Sequence, residues 1–419
     1  MKLKTVSLEN FRSKSSSTME LGSRLTLLIG ENGCGKTSFL DAIAIAFGEV
    51  LTFLPEVKGK GSSARGDIRQ VNGKLSPYVR VKVLADNDLT WDRVQRRDKS
   101  QRTAKQVPAG IGVKLLHQYL QKSILDPWNA GAPFNLPVIV QYGVGRALLD
   151  DLPMRQRGFP KQFSRFEALA DALKSMSRFR SAFIWFYNKE NEERRLQQER
   201  RNFDVTLPEL DAVRRCVSTL FPDLSGPHIA INPLRFVITQ NGEKLEIDQL
   251  SDGYKTMLGL AVDLARRMAA ANPHMDDPLA AEAIVMIDEV DLHLHPAWQQ
   301  RVVSDLLRCF PNTQFILTTH SSVVVEGMNN LLKRFAIGKL LPESGESEDW
   351  THIRNLYPLD PNDTAVYQIT RDTHIDLMDR EEGLTADTLI DNFNDVSRLY
   401  DLMRDLEWEA LKASQEEVG

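Results

Sequence analysis

The stretch that most narrows what this chain can fold into is GENGCGKTS, residues 30–38. It fits G-x-x-x-x-G-K-[ST]. It stands between an apolar run, RLTLLIG (24–30), and a segment with Phe39, Leu40, Ile43, Ala46 and Phe47 at helical spacing. A strand feeding a glycine-rich turn that opens a helix is the setting in which this motif cradles phosphate. Gly30, Gly33 and Gly35 let the backbone wrap with its N–H groups facing inward, and the helix N-terminus favours an anion. Lys36 is expected to reach phosphate oxygens and the Thr37 hydroxyl to ligate Mg²⁺. Glu31, Asn32, Cys34 and Ser38 complete the loop, Cys34 in a slot that tolerates any side chain.

Two later strands supply the complement. AIVMIDEVD (283–291) is a buried-type strand that delivers Asp288 and Glu289 at its C-terminal end, where open α/β sheets hold ligands. Asp288 suits the Mg²⁺ shell, and Glu289 suits a general base or the group that orients a water toward a γ-phosphate. FILTTHSS (315–322) repeats the pattern and ends near His320, which there can hydrogen-bond a γ-phosphate oxygen. DLHLHP (291–296) holds His293 and His295 two apart. A metal reading of that pair is disfavoured, because no cysteine or carboxylate set completes a closed site and Pro296 reads as a helix N1.

QLSDGYKTMLGL (249–260) opens another small-residue turn before a helix, with Met257, Leu258, Ala261, Leu264, Ala265 and Met268 on one face. It offers an anion site that the first loop makes redundant within one chain.

The wider pattern alternates strands with helices, which predicts an α/β fold with a largely parallel sheet. Residues 1–340 read as one head. Within it we expect a β arm over about 49–136 (YVRVKVLAD, LTWDRV), a strand at PVIVQYGVG, and a helical insertion over about 150–228. A hairpin then turns at Asn241-Gly242. Residues 341–419 read as a helical extension after the polar linker PESGESED. Its apolar positions (Leu389, Ile390, Phe393, Val396, Leu399, Leu402, Met403, Leu406) suit partner docking or packing on its own domain equally.

Composition sets outer bounds. A chain of 419 residues that is 42% hydrophobic with net charge −5 is long enough for two or three packed units. It has no apolar run long enough to span a membrane and no signal-peptide h-region after MKLK. Cys34, Cys216 and Cys309, odd in number and far apart, argue against a disulfide framework or zinc site. A cytoplasmic location is expected. The basic run Arg93, Arg96, Arg97, Lys99, Arg102, Lys105 reads first as a solvated arm, with nucleic-acid contact as the rival.

In order, NFRS (10–13), GENGCGKTS, VIVQYGVGR, LSDGYKT, VMIDEVDLHLHP and LTTHSS resemble the ABC-type ATPase heads of the SMC/RecF/OLD group over about residues 1–325. The HLHP run, PVIVQYGVGR and FIWFYNKENEERR are similar to the compact ATPases of Septu and retron anti-phage systems. The resemblance implies an ABC-type P-loop head that binds and hydrolyses ATP with Mg²⁺. It further implies a head-to-head dimer, with Ser251 and Gly253 of the signature facing the nucleotide of a second copy. Glu289, His320 and Lys36 become the catalytic set, Asp291 the D-loop residue, Arg12 an ATP contact and Gln141 a Q-loop metal ligand. An HNH-type nuclease partner and DNA or retron RNA–DNA as further partners also follow from the resemblance, while the lack of a long apolar run leads us to expect no membrane association. Asp376, Asp379 and Glu381 lack the strand context of a TOPRIM nuclease, so cutting is expected from another chain. Three rival readings are a slow or non-hydrolysing nucleotide sensor, a RecF-like DNA-repair ATPase and a transporter's nucleotide domain. Asp252 departs from the transporter signature and puts a carboxylate where phosphate is expected.

Overall fold

A computed structural model describes residues 1–61, 66–145, 159, 163–174, 179–336, 338, 353–370, 373–379 and 383–384. Strands β1 (Leu3–Phe11), β2 (Lys14–Glu20) and β3 (Leu25–Ile29) lead into helix α1 (Lys36–Phe53). Strands β4 (Tyr78–Ala85), β5 (Thr90–Arg96) and β6 (Val138–Tyr142) follow. Helices α2 (Arg180–Arg200) and α3 (Pro208–Leu220) precede an antiparallel set, β7 (Leu224–Ala230), β8 (Arg235–Gln240) and β9 (Glu243–Glu246). Then come α4 (Asp252–Ala271), β10 (Ala283–Ile287), α5 (Val302–Cys309), β11 (Thr313–Thr319), α6 (Ser322–Ala336), β12 (Thr364–Ile369) and β13 (His374–Asp376).

The central sheet has the order β13-β12-β3-β11-β10-β6. Its strands pair in parallel except for β13, antiparallel at the edge. Every residue of β3, β6, β10 and β11 is buried, as a parallel sheet covered on both faces requires. The register sets Ile29 beside Thr319, and Ile287 beside Leu317 and Tyr142. The ends of four strands therefore meet at one rim, just where the glycine-rich loop, Asp288 and His320 emerge.

A second, antiparallel sheet has the order β2-β1-β4-β5. β4 and β5, expected as part of a separate arm, instead pair through β1 with the N-terminal hairpin. The alternation of Leu3, Val6, Leu8 and Phe11 gives β1 a buried face, and α1 is packed between this sheet and the central one. In the basic run, Arg93 pairs with Glu49 and Arg97 with Asp98, while Arg96, Lys99, Arg102 and Lys105 are exposed. The β8–β9 hairpin turns at Asn241 and Gly242, both at positive φ (49° and 88°), as a type I′ turn demands.

The boundary expected at 340 does not fall there. β12 lies directly beside β3 in the central sheet, with Ala365, Val366, Tyr367 and Ile369 buried. The helical stretch expected from residue 385 onward and the polar linker lie outside the described residues. Among the described residues no helix is long and apolar enough to cross a membrane.

Candidate nucleotide site

The loop after β3 is shaped by its glycines. Gly33 and Gly35 adopt φ of 80° and 105°, which side chains rarely tolerate. Gly30 is constrained from outside as well: a Cβ there would lie 2.5 Å from the Ile369 carbonyl oxygen, because the end of β12 closes over the loop. Gly35 caps α1 with no side-chain bond, and no acidic residue occupies the first turn, so the turn keeps its positive end for a ligand. Lys36 is only 6% exposed. Its ammonium donates to the Gly30 and Glu31 carbonyls at 2.5 and 2.9 Å and so lies along the loop. Glu31 and Asn32 are exposed, Ser38 is half-buried and Cys34 is buried beneath.

Asp288, 4% exposed, is fixed on three sides. Its Oδ2 accepts from the Thr37 hydroxyl at 2.8 Å, its Oδ1 from the Thr318 hydroxyl at 2.6 Å, and its N–H donates to the Tyr142 carbonyl at 2.8 Å. Thr318 Oγ1 also accepts the Glu289 N–H at 2.7 Å, and the Thr318 carbonyl accepts the Val290 N–H at 2.9 Å. Glu289 itself is left-handed, at φ 48°, a sparsely used conformation that collects at functional sites. The next threonine repeats the device: Thr319 Oγ1 donates to Asp291 Oδ1 at 2.5 Å, and Asp291 Oδ2 lies 3.4 Å from His320 Nδ1. The His320 side chain is 47% exposed. The Thr37 hydroxyl and Asp288 carboxylate form a hard-oxygen pair of the kind that fits Mg²⁺.

Arg12 and Gln141 do not join Thr37 and Asp288. Both belong to a network around Asp41, one turn beyond Thr37 on α1. Arg12 bonds Asp41 at 2.9 Å and Asp67 at 3.1 Å, with Ser38 Oγ at 3.4 Å. Gln141, buried, accepts from Lys60 at 3.0 Å and donates to Asp41 at 3.1 Å. An amide oxygen already facing an ammonium is a poor partner for Mg²⁺, so the metal role expected for Gln141 is not supported by this arrangement. Alternation along β6 turns Gln141 toward α1 instead. Lys60 reaches the network because its segment crosses α1 backbone to backbone at Gly48. Burial pushes the Asp41 carboxyl up, but Lys60, Gln141 and Arg12 outweigh that and hold it below its ordinary value.

The signature turn occupies a different place. Ser251 precedes α4 in extended conformation, exposed, with no side-chain cap bond. Asp252 is 79% exposed and pairs with Lys255 at 3.5 Å, so its carboxylate is held by a cation one turn on. Gly253 is packed on the backbone that follows Asp291: a Cβ there would lie 2.6 Å from the His293 carbonyl oxygen. Tyr254 packs on Trp298 with ring centroids 4.3 Å apart and donates to Asp223 at 2.5 Å. HLHP is thus the bed of the signature turn. The His295 ring caps the short helix from Pro296, and among the described residues no His, Cys, Asp and Glu group of three is placed for a metal.

Sequence reasoning missed Thr318, Thr319, Asp41, Lys60 and Tyr142. Asp41 alone carried a signal, a carboxylate four residues after Thr37 on the same helix face.

An AAA-domain family model matches residues 5–211, and a second AAA-domain model, of the AbiEii toxin, type IV TA kind, matches 150–326. The chain is 26% identical to the retron Vc95 probable ATPase of Vibrio cholerae serotype O1 biovar El Tor (72% of this chain, 66% of the relative). It is also 26% identical to the retron Ec83 probable ATPase of Escherichia coli (77% and 69%). Identity to the Septu protein PtuA of Bacillus mycoides strain KBAB4 is 27% (72% and 35%). The chain therefore spans about two thirds of the retron relatives and about a third of that PtuA. Among solved structures, an SMC head domain with an extended coiled coil from Pyrococcus furiosus is similar at 14% identity and a TM-score of 0.43 (94% and 99%).

Proposed function

We propose that this chain belongs with the ABC-type ATPases of the SMC and PtuA group and is a cytoplasmic head that binds and hydrolyses ATP as a head-to-head dimer and thereby controls a partner nuclease in anti-phage defence. The observation that carries the reading is the Thr37–Asp288–Thr318–Glu289 constellation, gathered at the rim where four strand ends meet. On this reading the loop N–H groups and Lys36 bind the phosphates, with Glu31, Asn32, Cys34 and Ser38 lining the loop and Arg12 holding its flank through Ser38. Thr37 and Asp288 would hold Mg²⁺, which would supply charge neutralisation for the phosphates.

Glu289 orients the attacking water and takes its proton. Asp291 engages His320 Nδ1 and leaves Nε2 for a γ-phosphate oxygen. The two signature groups, Ser251 and the helix start at Gly253, close the site from a second copy. The nuclease partner, of HNH type, and DNA or retron RNA–DNA as effectors belong to the same reading, as what the sequence resemblance implies.

Phosphate release by the purified chain, with and without the partner and DNA, tests the reading. Glu289→Gln is expected to cut turnover by about a hundredfold or more while retaining ATP and enriching the dimer. Unchanged turnover in Glu289→Gln would sink the catalytic assignment. Tight ATP binding with no phosphate released by the wild type would favour a nucleotide sensor.

A further inference from the structure

We infer that the last two residues of β6, Gln141 and Tyr142, join this chain's Walker half-site to its signature half-site, and that the Tyr142 hydroxyl is the positioning contact through which the two ATP sites of a dimer sense one another. The inference rests on the head-to-head reading above. In that arrangement the Walker half of a chain serves one site and its signature half serves the other. A link within one chain is then a link between sites.

Tyr142 carries two bonds in different directions. Its carbonyl accepts the Asp288 N–H at 2.8 Å, and its fully buried hydroxyl donates to Asp263 Oδ2 at 2.9 Å. Asp263 stands on α4, ten residues beyond Gly253, about 15 Å along a rigid helix whose first turn is the signature. Its neighbour Gln141 points to the other face of the strand and bonds Asp41, four residues after Thr37. The backbone is pinned too, since the Gln141 N–H donates to the Ala172 carbonyl at 2.7 Å. Two consecutive residues thus touch the P-loop helix, the Walker B aspartate and the signature helix.

The Asp263 carboxylate faces two buried guanidiniums, Arg266 at 2.8 Å and Arg267 at 2.7 Å. Arg267 also donates to the Ala168 and Ala170 carbonyls, whereas Arg266 Nε is buried with no hydrogen-bond partner. A sub-ångström shift of α4 is enough to lengthen the 2.9 Å Tyr142–Asp263 hydrogen bond past its useful range, so the bond is either made or broken. Packed elements with two such arrangements are what carry coupling between distant sites.

Tyr142→Phe removes the hydroxyl alone. It keeps the ring, keeps the carbonyl on Asp288 and leaves Asp263 with both guanidiniums, and one hydrogen bond is too small a share of stability to unfold the domain. ATP turnover is measured against ATP concentration at protein concentrations that hold the dimer, together with melting temperature. The wild type is expected to show a Hill coefficient approaching about 2, and Tyr142→Phe one near 1, with half-saturation shifted less than about threefold. Arg266→Gln disturbs the same cluster but spares the Tyr142–Asp263 bond, and is expected to keep the wild-type Hill coefficient. A dimeric wild type with a Hill coefficient of 1, an unchanged coefficient in Tyr142→Phe, or equal loss in both variants overturns the inference alone. An ATP-loaded Glu289→Gln chain that sediments as a monomer overturns the head-to-head reading first, and the inference with it.

Discussion

Thr318 is a residue no motif announces, yet it stands between the two carboxylates on which the chemistry depends. Its hydroxyl donates to Asp288 and accepts from the Glu289 N–H. Thr318→Val keeps the shape and leaves both groups short of a partner, at about 1–3 kcal/mol for each buried group left unpaired. We expect ATP affinity to persist while kcat falls about tenfold or more, because Glu289 loses its anchor and not the phosphates theirs. Steady-state turnover alongside equilibrium ATP binding separates the two effects; a matched loss of both would mean that Thr318 only supports the fold. The glycine-rich loop, Asp288 and Glu289 were legible in the sequence because phosphate and metal chemistry demand fixed residue types at fixed spacing. Thr318 and Thr319 were not, since a β-branched residue in a buried strand reads as packing until its partner is seen.

The same contrast runs through the elements. Alternating strands and helices announced the largely parallel sheet, and the apolar run of β3 its buried core. The polar linker before β12 hides it in the sequence, although TAVYQI is a short β-branched and aromatic run of the kind that fills a sheet. Its place beside β3, with the Ile369 carbonyl against Gly30, makes it the wall of the phosphate loop. A chain ended at 340 should therefore expose the flank of β3 and be recovered insoluble, while one ended at 384 should stay soluble and melt as a single unit in calorimetry. Equal solubility of the two truncations would put the boundary back at 340.

β13 adds a pH effect to the same edge. His374 packs on Phe39 of α1 and on Tyr367, and burial, then Lys14 nearby, hold its pKa below the ordinary value. The folded state thus favours the neutral ring, and the unfolded chain binds the proton more readily. The stability His374 contributes is fully present above about pH 6.5 and is lost as pH falls through its lowered value. Denaturation midpoints measured down from neutral pH should fall less steeply in His374→Gln than in the wild type.

At the scale of the molecule, the proposed function assigns this chain two half-sites on different elements. The Lys36 loop lies over the end of β12, whereas Ser251 and Gly253 sit on the backbone that follows Asp291. On the proposed head-to-head reading, the signature turn, with its uncapped Ser251 and exposed, Lys255-paired Asp252, meets something outside its own fold. If that something is the phosphate loop of a second copy, two defective chains should repair one another. Lys36→Ala destroys the Walker half and Ser251→Arg blocks the signature half, so each homodimer has no working site. In a mixed dimer, the intact loop of one copy faces the intact signature of the other, which restores one site of the two. Random pairing at equal concentrations makes half the dimers mixed, so turnover should return to at most about a quarter of the wild type, and to less where the two sites are coupled. A site that closed within one chain would give no recovery at any ratio, and the phosphate released on mixing the two variants decides between these arrangements.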